Sequence, residues 1–208
     1  MALTKTGGFS LLEMLIVVSV ILILSAFAVM TLQPMLQAEH VNNAYNTTLT
    51  SLRRTREAAA GDMRIYVLTF GLPVGGATPN GGTITVTQNS TSGAQLFTAT
   101  LPVDITFHIE PGIPTSPLAA PTTPDGFGSA ANVFDFDQGI GAGGANTIYF
   151  YPDGTAHDVN GNINNGVVYL GMPGSLMTCR AITLWGATSR IRGWRLYKQG
   201  TTWSWSQQ

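Results

Sequence analysis

The sequence predicts an α+β chain: a long N-terminal transmembrane helix packed on a C-terminal antiparallel β-sheet domain. Three observations predict it. The nineteen residues from Met14 to Leu32 are apolar except for Ser19, Ser25 and Thr31. A helical period then continues through Val41, Tyr45, Leu49, Leu52 and Ala59, which fall on one face. After Gly61-Asp62 the period changes to two, and short β-rich runs alternate with Gly- and Pro-rich turns to the end of the chain.

The apolar run comes first. At about 1.5 Å per residue it reaches about 28 Å, close to the hydrocarbon thickness of a bilayer. Its three hydroxyls can return to the helix's own carbonyls. One carboxylate, Glu13, stands at its front. An acid at the centre of a helix in lipid costs about 2.5–3.5 kcal/mol, and less near an end, so such a residue points to function and requires a partner. Pro34 removes one backbone donor and should kink the helix near the end of the lipid-spanning part. Arg53, Arg54, Arg56 and Glu57 fall largely on the side away from the apolar face, and Gly61-Asp62 stops the helix. A straight helix from Phe9 to Ala60 would be about 75–80 Å long.

The β part is set by composition as much as by period. Charged residues make up only 10% of the 208, against 24 Gly and 11 Pro, a balance that favours short strands and many turns over a helical bundle. The residues after Leu32 suffice for one soluble domain with its own core. Strands are expected at 65–70, 83–87, 95–101, 104–109, 133–136, 147–151, 166–170, 180–185 and 192–198. The stretch from Pro111 to Pro124 holds five prolines and reads as a surface loop. The net charge is −1, but its distribution is uneven. No Lys or Arg lies between Arg64 and Arg180, an interval with seven acids. No acid follows Asp158, where Arg180, Arg190, Arg192, Arg195 and Lys198 all lie. The middle is acidic and the tail basic.

The front of the helix carries a more specific pattern, Gly7-Gly8-Phe9-Ser10-Leu11-Leu12-Glu13-Met14. It resembles the class III signal of type IV pilins and pseudopilins. The resemblance implies that residues 1–8 are a leader peptide, with Lys5 as its one charge. It implies that a prepilin peptidase cuts between Gly8 and Phe9, that the Phe9 amine is methylated, and that Glu13 meets the Phe9 amine of a neighbouring subunit during assembly. An ammonium and a carboxylate in lipid are tolerable mainly as a pair. The domain plan that follows is leader 1–8, transmembrane half of the helix 9–32, amphipathic half 33–60, and globular β domain 61–208. Many pilins carry a proline where this chain has Met30, so Pro34 moves the kink.

The second half narrows the resemblance. Thr147-Ile148-Tyr149-Phe150-Tyr151-Pro152-Asp153-Gly154-Thr155-Ala156 is similar to the strand, Pro-Asp-Gly turn, strand unit of the H-type pseudopilins of type II secretion and the FimT-type minor pilins. Ser51 to Ala58 is similar to that subfamily's helix–strand junction. Ile182 to Gly193 is similar to its terminal strand pair, in which Ser189-Arg190-Ile191-Arg192 departs from Gly-Arg-x-Arg by one residue. The resemblance covers 1–70 and 147–198.

Gly139 to Gly144 spells G-x-G-x-x-G but precedes a β-rich run, so a glycine-rich loop is expected instead of a dinucleotide site. Asp158 to Asn162 lacks the Gly and Glu of a calcium loop and reads as an Asn-Gly turn. Asp135 and Asp137 share a strand face, read as solvated in preference to a cation site. Cys179 is the sole cysteine, which excludes an intrachain disulfide and a cysteine metal site, and it reads as a small buried thiol. His40, His108 and His157 have no ligand spacing. The chain offers no catalytic set, cofactor or metal motif, and reads as the substrate of an enzyme instead of being one.

Arg190, Arg192, Arg195 and Lys198, with Trp185, Trp194, Trp203 and Trp205 close in sequence, are candidate DNA-binding residues. The same residues also read as a strand face whose arginines cover tryptophan rings. As a whole the chain reads as a minor pilin or pseudopilin of a type IV pilus or a type II secretion filament. Its expected partners are prepilin peptidase, other pilin or pseudopilin subunits, the inner membrane and, through the tail, DNA. It is expected as a single-pass inner-membrane protein with the globular domain in the periplasm, assembled into the filament. The alternative is a secreted β-domain binding module released by signal peptidase after Ala28, at Ala26-Phe27-Ala28.

Overall fold

The computed structural model describes residues 10–73, 81–116, 122–136 and 145–208. The chain divides into two units, 1–39 and 40–208.

Helix α1 (Leu11–Asp62) has Pro34 in its interior. In the first unit its side chains are exposed throughout the described positions, Leu11, Leu12, Met14, Leu15, Ile16, Phe27 and Leu36 among them. Ser19 and Ser25 donate their hydroxyls to the Ile16 and Ile21 carbonyls at 2.7 and 2.8 Å. The predicted self-satisfaction of polar groups within the apolar run is therefore present at both serines.

In the second unit α1 turns one face inward. Val41, Ala44, Leu52 and Ala59 are buried, and Tyr45 and Leu49 pack at the margin. The predicted apolar stripe is present, filled out by small hydroxyl residues. Thr48 and Thr55 are fully buried and donate to the Ala44 and Ser51 carbonyls at 2.9 and 2.7 Å. The helix ends two residues later than expected. Met63, not Gly61, takes the left-handed conformation (φ 54°), and the Arg64 N–H reaches the Ala59 carbonyl at 3.2 Å. That is the six-to-one bond of a Schellman cap with a methionine where glycine is usual. Met63 is 79% exposed, so little packing offsets its strain. Met63→Gly should therefore stabilise the domain by about 0.5–1 kcal/mol, read from the denaturation midpoint.

Among the described residues ten strands form two antiparallel five-stranded sheets. The strands are β1 (Tyr66–Gly71), β2 (Thr83–Gln88), β3 (Gln95–Thr100), β4 (Phe134–Phe136), β5 (Thr147–Phe150), β6 (Ala156–His157), β7 (Gly166–Leu170), β8 (Arg180–Trp185), β9 (Arg190–Gln199) and β10 (Thr202–Gln207). One sheet runs β3-β2-β1-β5-β6 and the other β10-β9-β8-β7-β4. The main core lies where the buried face of α1 meets both sheets. It holds Leu68, Phe70, Ile84, Ile148 and Phe150 from the first sheet and Phe136, Val168, Leu170, Ile182 and Leu184 from the second. Phe70 is its centre, stacked on Phe134 and Phe136 and edge-on to Phe107.

A second, smaller core covers the outer face of the second sheet. Val167, Tyr169 and Ala181 alternate with main-core residues along β7 and β8, Leu196 and Trp205 join them from β9 and β10, and Ile113, Ala130 and Phe127 close over them. The described parts of the proline-rich loop contain no strand, as expected. Their buried residues Ile113, Pro114, Thr123 and Pro124 make the loop a cover for a sheet face.

That cover corrects one reading. Asp135 is not on a solvated face: it is 4% exposed and its carboxylate accepts the Ser129 N–H at 3.0 Å. The outward face of β4 lies under chain 128–130 instead of water. Asp137 and the glycine run 139–144 lie outside the described residues.

A second correction concerns 104–109. These residues form no strand, only a bridge from Thr106 to Gly171. β4 occupies the edge of β7 along Gly166–Val168, which leaves only Tyr169 to Gly171 for this stretch. Pro102 and Pro111 limit it on either side. The alternation persists in burial, with Ile105 and Phe107 in the core.

Candidate functional site

The N-terminal segment is the first candidate. Leu11–Ala28 is long and apolar enough to cross a membrane, and none of it is buried within the protein. Glu13 lies in the first turn of α1, where a carboxylate faces the positive end of the helix dipole. Ser10 accepts the Met14 N–H at 3.1 Å through its carbonyl, which fixes the helix start just ahead of Glu13. Gly8 and Phe9 lie outside the described residues.

The basic strand is the second candidate. β9 pairs in unbroken register with β8 and β10, so its side chains alternate. Arg190, Arg192 and Lys198 fall on one face and Arg195 on the other. The four candidate residues do not form one patch.

On the first of these faces the arginines are engaged. Asp125, 67 residues upstream of Arg192, accepts the Arg192 Nη1–H at 2.7 Å. Its other oxygen accepts the Thr183 hydroxyl and the Trp185 Nε1–H, the latter at 3.3 Å. Trp194 Nε1 donates to the Thr183 hydroxyl oxygen at 3.1 Å, extending the network by one link. The Asp125 side chain is only 5% exposed. It sits in a short 3-10 turn, Pro124–Gly126, at φ 53°. Arg190 lies over the Trp185 ring, 5.1 Å from its centroid, and Phe127 packs on the same indole at 4.9 Å. The chemistry is a clamp: one carboxylate from the loop gathers three donors from β8 and β9.

Asp125 was not singled out in the sequence. The available signal was a repeat: Pro-Asp-Gly, read at 152–154, also stands at 124–126. The copy at 152–154 behaves as predicted. Gly154 takes φ 81° and donates to the Tyr151 carbonyl at 3.0 Å, and the turn joins β5 to β6.

The remaining candidates are structural. Asp158 organises its turn by accepting the Asn160 and Asn162 N–H groups, each at 2.8 Å. Burial pushes its carboxyl upward, but the hydrogen bonds from Asn162 and Asn160 outweigh that and hold it below the usual carboxylate range. Cys179 is buried as expected, and burial pushes its thiol up to about 11. His40 faces Asp104 at 2.8 Å and His108 faces Glu110 at 2.9 Å. Among the described residues no three His, Cys, Asp or Glu converge as metal ligands.

Comparison with known proteins adds one finding. Residues 3–29 match the family model of the prokaryotic N-terminal methylation motif. No curated protein and no solved structure matches the chain. The match spans the Gly-Phe junction, Glu13 and the apolar run in the order read from the sequence: the chain begins with a type IV pilin-like signal, followed by an α+β body of pilin-like architecture.

Proposed function

We propose that this chain is a minor pilin or pseudopilin, a structural subunit built into a type IV pilus or a type II secretion filament. The observation that carries the reading is the methylation motif on an apolar segment, Leu11–Ala28, none of which is buried within the protein. A bare helix of this kind needs lipid before assembly and neighbouring helices after it. In this reading prepilin peptidase cuts between Gly8 and Phe9 and the Phe9 amine is methylated. Glu13 pairs with the Phe9 amine of the next subunit. The β domain lies on the periplasmic side of the inner membrane until the filament takes it up. The stretches that resemble the H-type and FimT-type subfamily in sequence fold as a strand, turn, strand unit, β5 to β6, and as the β8–β9 pair, which supports that placement.

The position of Asp125 supports reading Arg190 and Arg192 as the clamp of the proline-rich loop instead of a nucleic-acid face. A DNA contact would then fall to Lys198 and Arg195, on opposite faces of β9.

N-terminal sequencing of the mature chain with mass measurement tests the proposal. A methylated Phe9 terminus is the expected result. A Val29 terminus would instead mean release after Ala28, and the chain would be a secreted binding module.

A further inference from the structure

Arg180 is a buried guanidinium with no anion beside it. It opens β8 and is 5% exposed. Its Nη1 donates to the Met177 and Cys179 carbonyls at 3.3 and 3.1 Å, and its Nε has no partner. Directly opposite on β9 stands a second cation, Arg195. Directly opposed side chains lie on one face of an antiparallel pair, about 4.5–5.5 Å apart at Cβ, and like charges there repel.

The same face meets α1 at Tyr45. The Tyr45 phenol lies over Gly193, so close that even a Cβ there would overlap the hydroxyl, and Arg195 is the next residue on that face. Arg53 adds its field to that of Arg180 at Tyr45. Burial, opposed by those two charges, raises the phenol's pKa, so Tyr45 stays a protonated donor at neutral pH. Burial and the nearby Arg195 push Arg180 down to about 10, which still leaves it charged at neutral pH.

Glu110, whose charge is felt at the neighbouring Cys179, is engaged elsewhere: it accepts from His108 and from the Gly174 N–H, each at 2.9 Å. Among the described residues, Arg53, Arg180 and Arg195 make no ion pair. A buried charge is retained in a fold when something pairs with it.

We propose that Arg180, Arg195 and Tyr45 form a binding site for a single small oxyanion, a carboxylate or a phosphate group. Arg195 stands opposite Arg180 in register and the Tyr45 phenol sits over Gly193 on the same face, so the three side chains offer donors and, apart from the phenol oxygen, no acceptor. Arg180 is too enclosed to meet a continuous polyanion, so one group enters at a time. The inference is independent of the filament reading, because the site lies wholly within the β domain and its helix.

The test is thermal unfolding of the full-length chain in neutral detergent, followed by tryptophan fluorescence. Acetate or inorganic phosphate is titrated in at constant ionic strength set with sodium chloride. The wild type should gain on the order of 3 °C at saturation with at least one anion. Response to acetate alone would identify a carboxylate, as a neighbouring chain's Asp or Glu presents it. Response to phosphate alone would identify a phosphate group. Arg195→Gln, at an exposed position, should require at least tenfold more anion for the same gain. Arg180→Met should abolish the response, and without added anion it should melt no lower than wild type, because an unpaired buried charge has gone. A wild type indifferent to both anions, or an Arg195→Gln chain that responds like wild type, overturns the proposal even if Arg180→Met does not fold.

Discussion

Asp125→Ala should lower the stability of the β domain by about 3 kcal/mol, a value usual for removing one partner of a buried ion pair. The loss comes from three groups at once. Arg192 is left as a partly buried charge without its carboxylate, and the Thr183 hydroxyl and Trp185 Nε1–H lose their acceptor. For a domain of this size that corresponds to a fall in Tm of about 6–12 °C. The proline-rich loop should also detach from the second sheet, because Asp125 is its one charged link to β8 and β9 among the described residues. Trp185 then loses Phe127 from its face, and its fluorescence should shift toward that of a solvated indole. The double variant Asp125→Ala with Arg192→Met should recover part of the loss, because the orphaned charge has been removed. A single-variant loss under about 0.5 kcal/mol, typical of a surface position, would mean that the clamp is ornamental and that Arg190 and Arg192 are free to bind something else.

The clamp also shows where sequence reasoning reached its limit. Strands with a strict two-residue period were legible to within a residue or two: Gly166–Leu170 and Arg180–Trp185 fall at the expected positions. β10 was missed although Thr202-Trp203-Ser204-Trp205-Ser206 alternates cleanly, because its tryptophans were read as aromatic partners for the arginines and not as pleat positions. In the structure Trp205 packs into the second core beside Tyr169. The stretch 104–109 has a perfect strand pattern but only Tyr169 to Gly171 of a neighbouring edge to pair with. Pattern states which face would be buried, whereas pairing depends on which neighbour has already taken the hydrogen bonds. Asp135 was misplaced for the same reason: alternation assigns it to the outer face, but only tertiary structure shows that the outer face is roofed. The candidate residues divide likewise. The N-terminal signal was legible because its offsets are local. The ion pair of Arg192 spans 67 residues and joins two segments with no shared period. Arg180 looked in sequence like one more base of a basic tail.

Glu13→Ala should reduce incorporation into filaments by about 100-fold or more while leaving membrane insertion intact or slightly improved. In the proposed assembly Glu13 and the Phe9 amine of the adjoining subunit are each the other's counter-charge in a medium without water. Losing one partner of such a pair costs about 3–5 kcal/mol, and each 1.4 kcal/mol is a factor of ten in the assembly equilibrium. Insertion runs the other way, because an acid has left a segment that must cross lipid. The two readouts must therefore move in opposite directions, which separates a pairing defect from a general loss of the protein. Cell fractionation measures insertion and the sheared filament fraction measures incorporation. Glu13→Asp keeps the charge but shortens its reach by a methylene, so it should fall between wild type and Glu13→Ala. Equal incorporation of Glu13→Ala and wild type would exclude the pair as the driving contact and leave the apolar surface from Leu11 to Leu36 as the source of assembly energy. A joint loss of insertion and incorporation would mean that Glu13 serves recognition at the membrane and has no role between subunits.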